Sequence, residues 1–332
     1  MKSLMKCALI ASTLSFILAA RPLPAGPAVQ DLPAQTPDAE VSDAEVSELE
    51  PVPDSPALPE SLPFEGRTIG NLEWHTNYSA AYREAREARK TLFVFFRDDR
   101  HPRIADLYEH DILAHADAHD ALSKVVRVVV PLDTLCPTCT DEENRLRMLA
   151  HESFKYMYGR QGIAVIDLTN PDSELHGQVI SAHPFTPGRY YTVHGTKTVL
   201  GLPLGTVTQR ALIYAVRIHP ASPVSTTEGK CHGYMCKMAN ESSKLMAQYG
   251  SVGHHDWGNR YGAIAAQTGR SASEVAAGAG NTNLIEAAIQ VVEQWYGSPS
   301  HWGIMSAPAA IFGYDLVRDS AGNWWGTGVF AN

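Results

Sequence analysis

Long apolar runs are nearly missing from this 332-residue chain. After position 20, no stretch approaches the roughly 20 apolar residues that a membrane-spanning helix needs, which argues against an integral membrane protein. An excess of basic charge is missing too: Lys and Arg number 27 against 36 Asp and Glu, and no basic stripe is present. That excludes nucleic acid as a partner. Cysteine is scarce, with five in all, and Cys7 falls in the N-terminal leader. Cys136, Cys139, Cys231 and Cys236 remain. In an exported chain an even number favours disulfides, and three pairings are open.

The opening residues, "MKSLMKCALIASTLSFILAA", read as a secretory signal over residues 1–20. Lys2 and Lys6 form its basic start, Ala8 to Leu18 its apolar centre, and Ala19-Ala20 a small-residue cleavage site. The expected location is secreted or periplasmic. Residues 21–62 form an acidic, proline-rich segment: from Arg21 to Glu60 it holds nine acidic residues, nine prolines and the repeat "DAEVS-DAEVS". So little apolar surface cannot offset the entropy of ordering, and a disordered tether is expected. Without Lys2, Lys6, Arg21 and those nine acids, 24 basic residues face 27 acidic ones, a near-neutral folded part.

Residues 63–203 alternate helix and strand patterns. "YSAAYREAREARK" leads into the apolar strand "TLFVFF". "RIADLYEHDILAHADAHDALSK" reads as one helix before "VVRVVV", a third helix is expected over 141–157, and "GIAVIDL" and "GQVISA" close the region as strands. Helices alternating with apolar strands predict an α/β fold with a sheet covered on both faces. This order resembles a thioredoxin-like domain. Where that family carries its redox Cys-x-x-Cys, after "TLFVFF", this chain reads "RDDRHPRI", and Gly162-Ile163-Ala164 stands at the family's cis-proline. The resemblance therefore implies a redox-inactive domain. "CPTC" (Cys136, Cys139) remains open between a structural disulfide, a redox pair and a metal site. His115 and His119 lie one turn apart on the expected helix, with His110 near, a spacing that suits either a metal or a solvated polar face.

Residues 205–332 begin with "TVTQRALIYAVRIHP", a helix expected to be capped at Thr208 and ended before Pro220. In "MCKMANESSKLMAQYG" Met238, Ser242, Leu245, Met246 and Tyr249 share a face, and Gly250 supplies the stop. "NLIEAAIQVVEQWYG" opens with a capping box from Asn283 to Glu286 and carries Trp295 on its apolar face. Gly297 and Pro299 should end it in a rigid turn before His301, and a terminal hairpin, "AIFGYDLVR" and "WWGTGVF", follows. "MAQYGSVGH", "SASEVAAG" and "WYGSPSH", in this order and with this hairpin, resemble the CAP superfamily of cysteine-rich secretory, antigen 5 and pathogenesis-related proteins, the last motif in its bacterial form. The resemblance implies an α-β-α sandwich and assigns His254, Glu274 and His301 to a cleft. Asn259 stands where the family's second cleft acid would be expected, and Trp302 replaces the Arg that usually follows the second histidine.

Trp257, Trp295 and Trp302 are expected as walls of that cleft. Two imidazoles and a carboxylate suit Zn²⁺ with a fourth position open, or they hydrogen-bond to one another and pin three segments together. The expected architecture is thus a thioredoxin-like α/β domain followed by a CAP-type sandwich. The resemblance implies an exported, non-enzymatic binding protein for an extracellular or periplasmic lipid, glycan or protein, with no required cofactor. The rivals are a zinc-dependent hydrolase using His254, Glu274 and His301, and a thiol-disulfide oxidoreductase using Cys136 and Cys139.

Overall fold

β3 (Leu92–Arg97) is the centre of the first sheet because its residues are apolar on both faces. A computed structural model describes residues 66–136, 147–186 and 191–332; the expected signal and tether, and Cys139, lie outside them. In chain order the elements are β1 (Gly66–Ile69), β2 (Leu72–His75), α1 (Tyr78–Glu87), β3, α2 (Pro102–Leu107), α3 (Ala116–Ser123), β4 (Val126–Pro131), β5 (Gly162–Ile166), β6 (Val179–Pro184) and α4 (Val193–Leu200). The sheet runs β1-β2-β4-β3-β5-β6, with β3 parallel to β4 and antiparallel to β5. Strand alternation sends Phe93 and Phe95 to one core with Trp74, Tyr108 and Ile163. Leu92, Val94 and Phe96 turn to the other, with Ala81, Ala85, Val128 and Phe154. The chain is an α/β protein.

The long helix expected from Arg103 to Lys124 is interrupted. α2 passes into a π-helical turn, Tyr108–Leu113, and the helix breaks before His115, whose backbone is extended. His115 instead caps α3, its Nδ1 accepting the Asp117 N–H at 3.1 Å. His115 therefore lies outside the helix that holds His119. Of the third helix expected over 141–157, residues 148–157 form two 3₁₀ turns, Met148–Ala150 and Glu152–Met157. The cause is similar: His151 is extended, and its Nδ1 accepts the Ser153 N–H at 3.2 Å. A hairpin of β1 and β2, unforeseen in the sequence, turns at Gly70, where φ is +59° and an added Cβ would lie 2.9 Å from Ala114 Cα.

The second sheet follows α5 (Val207–Ile218) and α6 (Val224–Glu228), and comprises β7 (Lys230–Cys231), β8 (Ala272–Ala279), β9 (Ile311–Arg318) and β10 (Trp324–Ala331). Its helices are α7 (Gly233–Tyr249), α8 (Trp257–Thr268), α9 (Leu284–Tyr296) and α10 (Pro299–Ser306). The strand order is β7-β9-β10-β8, antiparallel except for β7 with β9. Val275, Phe312, Tyr314 and Leu316 face a core shared with Leu284, Val291 and Trp295 of α9. On the opposite face Val329 and Ala331 pack with Met235 and Met238 of α7, and Ala276 and Trp325 with Met246. Among the described residues no helix is long and apolar enough to cross a membrane.

Local capping corrects several expectations. α5 is capped at Thr206, not Thr208: the Thr206 hydroxyl accepts the Gln209 N–H, and the Gln209 side chain accepts the Thr206 N–H at 3.1 Å. Thr208 is free to donate to Asp315 Oδ1 at 2.6 Å. Tyr249 is exposed rather than on the buried face of α7, because Gly250 turns the chain away at φ +63°. Pro299 does not close a turn after α9; it opens α10, whose first position suits a residue lacking an N–H.

α5 joins the two sheets. Seven consecutive residues, Arg210–Val216, are buried, so this helix meets protein on all sides. Its apolar residues belong to one core with Phe95 and Ile180 of the first sheet and Tyr314 of the second. Arg210 donates to Ser181 Oγ on β6 at 2.8 Å and to the carbonyls of Val199, Leu202 and Pro203 at 2.7–2.9 Å. A buried cation there satisfies carbonyls left over at the end of α4.

Candidate functional site

The site is assembled where α7 stops. Gly250 ends that helix, a short loop carries His254, and α8 then brings Arg260 back beneath it. Glu274 lies on β8; strand alternation turns Val275 toward the α9 core and Glu274 away from it. The Glu274 side chain is closed to solvent, whereas His254 remains 45% exposed. His254 Nδ1 lies 2.9 Å from Glu274 Oε1. An ionised carboxylate only accepts, so Nδ1 carries the proton and Nε2 is directed elsewhere.

The carboxylate has a second, stronger partner. Arg260 Nη2 contacts Glu274 Oε1 at 2.9 Å and Oε2 at 2.7 Å, and also donates to Ser242 Oγ at 3.1 Å. Its other terminal nitrogen donates to the His255 carbonyl, and the guanidinium lies over the Trp257 ring, 5.7 Å from the centroid. Burial of a carboxylate requires such compensation. Arg260 carries no signal in the sequence; only the fold shows that it is buried on the same face of α8 as Ile264.

His301 comes from α10, not from a turn. Its ring centroid is 6.1 Å from that of His254, with the planes 59° apart. Partial burial, followed by the neighbouring His254, lowers the His301 pKa from its ordinary value. The structure thus brings His254, Glu274 and His301 together. His255 turns aside, with its ring on Tyr249 and Nε2 on the Ser251 carbonyl at 3.1 Å. Asn259 bonds Asp256 at 2.5 Å.

The tryptophans divide. Trp257 is half-buried at the start of α8 and packs edge-on against Tyr261. Trp302 is half-buried with its ring against His219 and Tyr296. Trp295 is wholly enclosed beside Tyr314 and is a core residue rather than a wall.

For a metal, the decisive observation is that both Glu274 oxygens are already engaged. The Glu274 side chain is also closed to solvent. The donors open to a cation are therefore the two imidazoles, with Glu274 behind His254 as an orienting partner. No group of three or more His, Cys, Asp or Glu able to hold a metal ion occurs among the described residues. The histidines of the first region are dispersed: His110 Nδ1 bonds the Asp106 carbonyl at 2.8 Å and His115 serves as a cap.

Where a redox pair would follow β3, Arg97 instead bonds Asp99, Asp106 and Glu109 at 2.5, 2.7 and 2.6 Å, and Arg67 also pairs with Glu109. Cys136 borders a different feature, a cavity of about 240 Å³ with Tyr78, Tyr82, Met148 and Phe154. Cys231 and Cys236 lie together in the second region, with Sγ atoms 3.7 Å apart. The chain matches no protein-family model. Comparison with curated proteins likewise yields no match.

Proposed function

We propose that this is an exported, non-enzymatic binding protein, secreted or periplasmic, whose residues 205–332 form a CAP-type domain. A thioredoxin-like domain without redox activity over residues 63–203 precedes it. The first sheet, with parallel central strands flanked by an antiparallel pair, agrees with the thioredoxin-like reading, and the ion cluster after β3 leaves no thiol chemistry there. The second sheet, with α7 on one face and α9 on the other, agrees with a sandwich.

One observation carries the binding reading. Glu274 is enclosed and neutralised by Arg260, so it fixes His254 in place and is not available to solvent as an acid or base. The exposed chemistry is then a pair of imidazoles, and half-buried Trp257 follows His254 in the chain with its backbone N–H on the His254 carbonyl at 3.2 Å. Such a surface offers hydrogen bonds and stacking to a lipid headgroup, a glycan or a protein. The reading is tested with a glycan array and vesicle sedimentation, comparing the mature protein with a His254→Ala/His301→Ala variant. At least one ligand should be held about tenfold more weakly by the variant, a loss near 1.4 kcal/mol. Equal binding by both proteins to every retained ligand removes the site from the proposal.

A second reading has its own observation in the carboxylate–imidazole pair, an arrangement that commonly orients metal-binding histidines. A bound Zn²⁺ would supply a Lewis acid and an activated water. His254 and His301 would hold it, and Arg260 would keep Glu274 behind His254. Zinc-dependent ester hydrolysis lost in His254→Ala would favour this hydrolase reading over the binding protein.

A further inference from the structure

Cys231 ends β7 and Cys236 lies in the first turn of α7, with only His232 between strand and helix. Their sulfurs are 3.7 Å apart, well beyond a disulfide bond but within thiol–thiol contact. The environments of the two differ. Cys236 is buried, and its backbone lies hard against β9, where a Cβ added at Gly313 would fall 2.2 Å from the Cys236 nitrogen. β7 pairs with β9 only at Ile311 and Phe312, so this approach lies beyond the end of that pairing. Cys231 is half-buried, next to the N-terminus of a 17-residue helix and near the Arg217 guanidinium.

We propose that Cys231 and Cys236 form a reversible dithiol–disulfide couple, with Cys231 the attacking thiol and Cys236 the resolving one. The oxidant is a small disulfide such as oxidised glutathione. Cys231 loses its proton to water, and its thiolate attacks one glutathione sulfur. The glutathione S–S bond breaks, and the departing thiolate takes up a proton. Cys236 then releases its proton to water and attacks Cys231 Sγ. The mixed disulfide breaks, and the second glutathione leaves as a thiol after protonation. Two protein thiols have lost two electrons and two protons to one disulfide.

The order of attack follows from the surroundings. The hydrogen bond from Cys236, aided by Arg217, lowers the Cys231 pKa, which favours its thiolate. The same hydrogen bond, followed by burial, pushes the Cys236 thiol up. Once Cys231 is capped by glutathione its anion is gone, and Cys236 is released from that hold at the moment it must react.

The experiment uses the mature protein equilibrated over graded ratios of reduced to oxidised glutathione, then alkylated and cut with trypsin. Lys230 and Lys237 flank the pair, so both cysteines fall in the single peptide Cys231–Lys237. This peptide should change, at a defined ratio and in both directions, between a doubly alkylated form and an unalkylated form lighter by two hydrogens than the dithiol. Cys236→Ser should trap glutathione on Cys231, with about ten times more adduct than Cys231→Ser carries on buried Cys236. A peptide doubly alkylated at every ratio overturns the proposal. So does a linkage that excess reduced glutathione leaves closed in the folded protein, or equal trapping by the two variants. The peptide titration needs no variant and stands if either substitution prevents folding.

Discussion

Arg260 grips both oxygens of Glu274, at 2.9 and 2.7 Å, and neither side chain reaches bulk solvent beyond a few per cent. The pair joins α8 to β8 beneath His254, so the exposed imidazole rests on an ion pair that is itself part of the core.

Removing the cation alone should therefore be severe. Arg260→Ala leaves Glu274 enclosed without its countercharge, at a cost of about 3–5 kcal/mol in urea unfolding. Arg260→Met with Glu274→Met should cost much less, because no unpaired charge remains. A loss below about 1 kcal/mol for Arg260→Ala would show that the carboxylate finds another partner.

His183 makes stability depend on pH. Burial, followed by the nearby Arg210 charge, brings its pKa from 6.5 down to about 3. Its Nδ1 is 2.6 Å from the Tyr191 hydroxyl. Below pH 6.5 the unfolded chain takes up a proton that the folded chain refuses until about pH 3, so acid favours unfolding across that window. The slope from this group is about 1.4 kcal/mol per pH unit. His183→Gln should flatten the stability curve between about pH 6 and 4 relative to the parent, as measured by denaturant midpoints. Parallel curves for the two proteins would remove His183 as the cause.

Gly313 tests the close approach of β9 to α7. A Cβ there would lie 2.2 Å from the Cys236 nitrogen and from the Met235 carbonyl carbon. Backbone cannot yield as a side chain does, so Gly313→Ala should cost about 1–3 kcal/mol or more. Gly258 in α8 has nothing within 4 Å of such a Cβ, and Gly258→Ala should be neutral or stabilising. Similar urea midpoints for the two variants would mean that α7 moves away freely.

Much of the fold was legible because local rules and tertiary packing agree. "TLFVFF" reads as a doubly covered strand, and Phe93 and Val94 do face opposite cores. Asn283 caps α9 as its spacing implies, its Oδ1 accepting the Glu286 N–H at 3.0 Å. The failures lie where side chains compete with backbone periodicity. His115 and His151 cap what look like helix interiors, and a threonine at 206 or 208 suits a cap equally until Asp315 claims one of them. At the site, His254, Glu274 and His301 were assigned by the resemblance of three short motifs, and the fold brings these side chains near one another. Arg260 was hidden because nothing in a linear sequence says which buried acid, 14 positions on, will need a cation.

The enclosure of α5 has a thermodynamic consequence. A helix buried for seven consecutive residues between two sheets has no solvent-tolerant side to show if either sheet melts. Neither sheet can therefore open without uncovering the other's support, and Gly66 to Asn332 should give one heat-absorption peak rather than two in calorimetry. Selection then acts on the two halves jointly: a substitution that weakens β6 is felt at the imidazole pair, far along the chain, as a loss of the population that can present it.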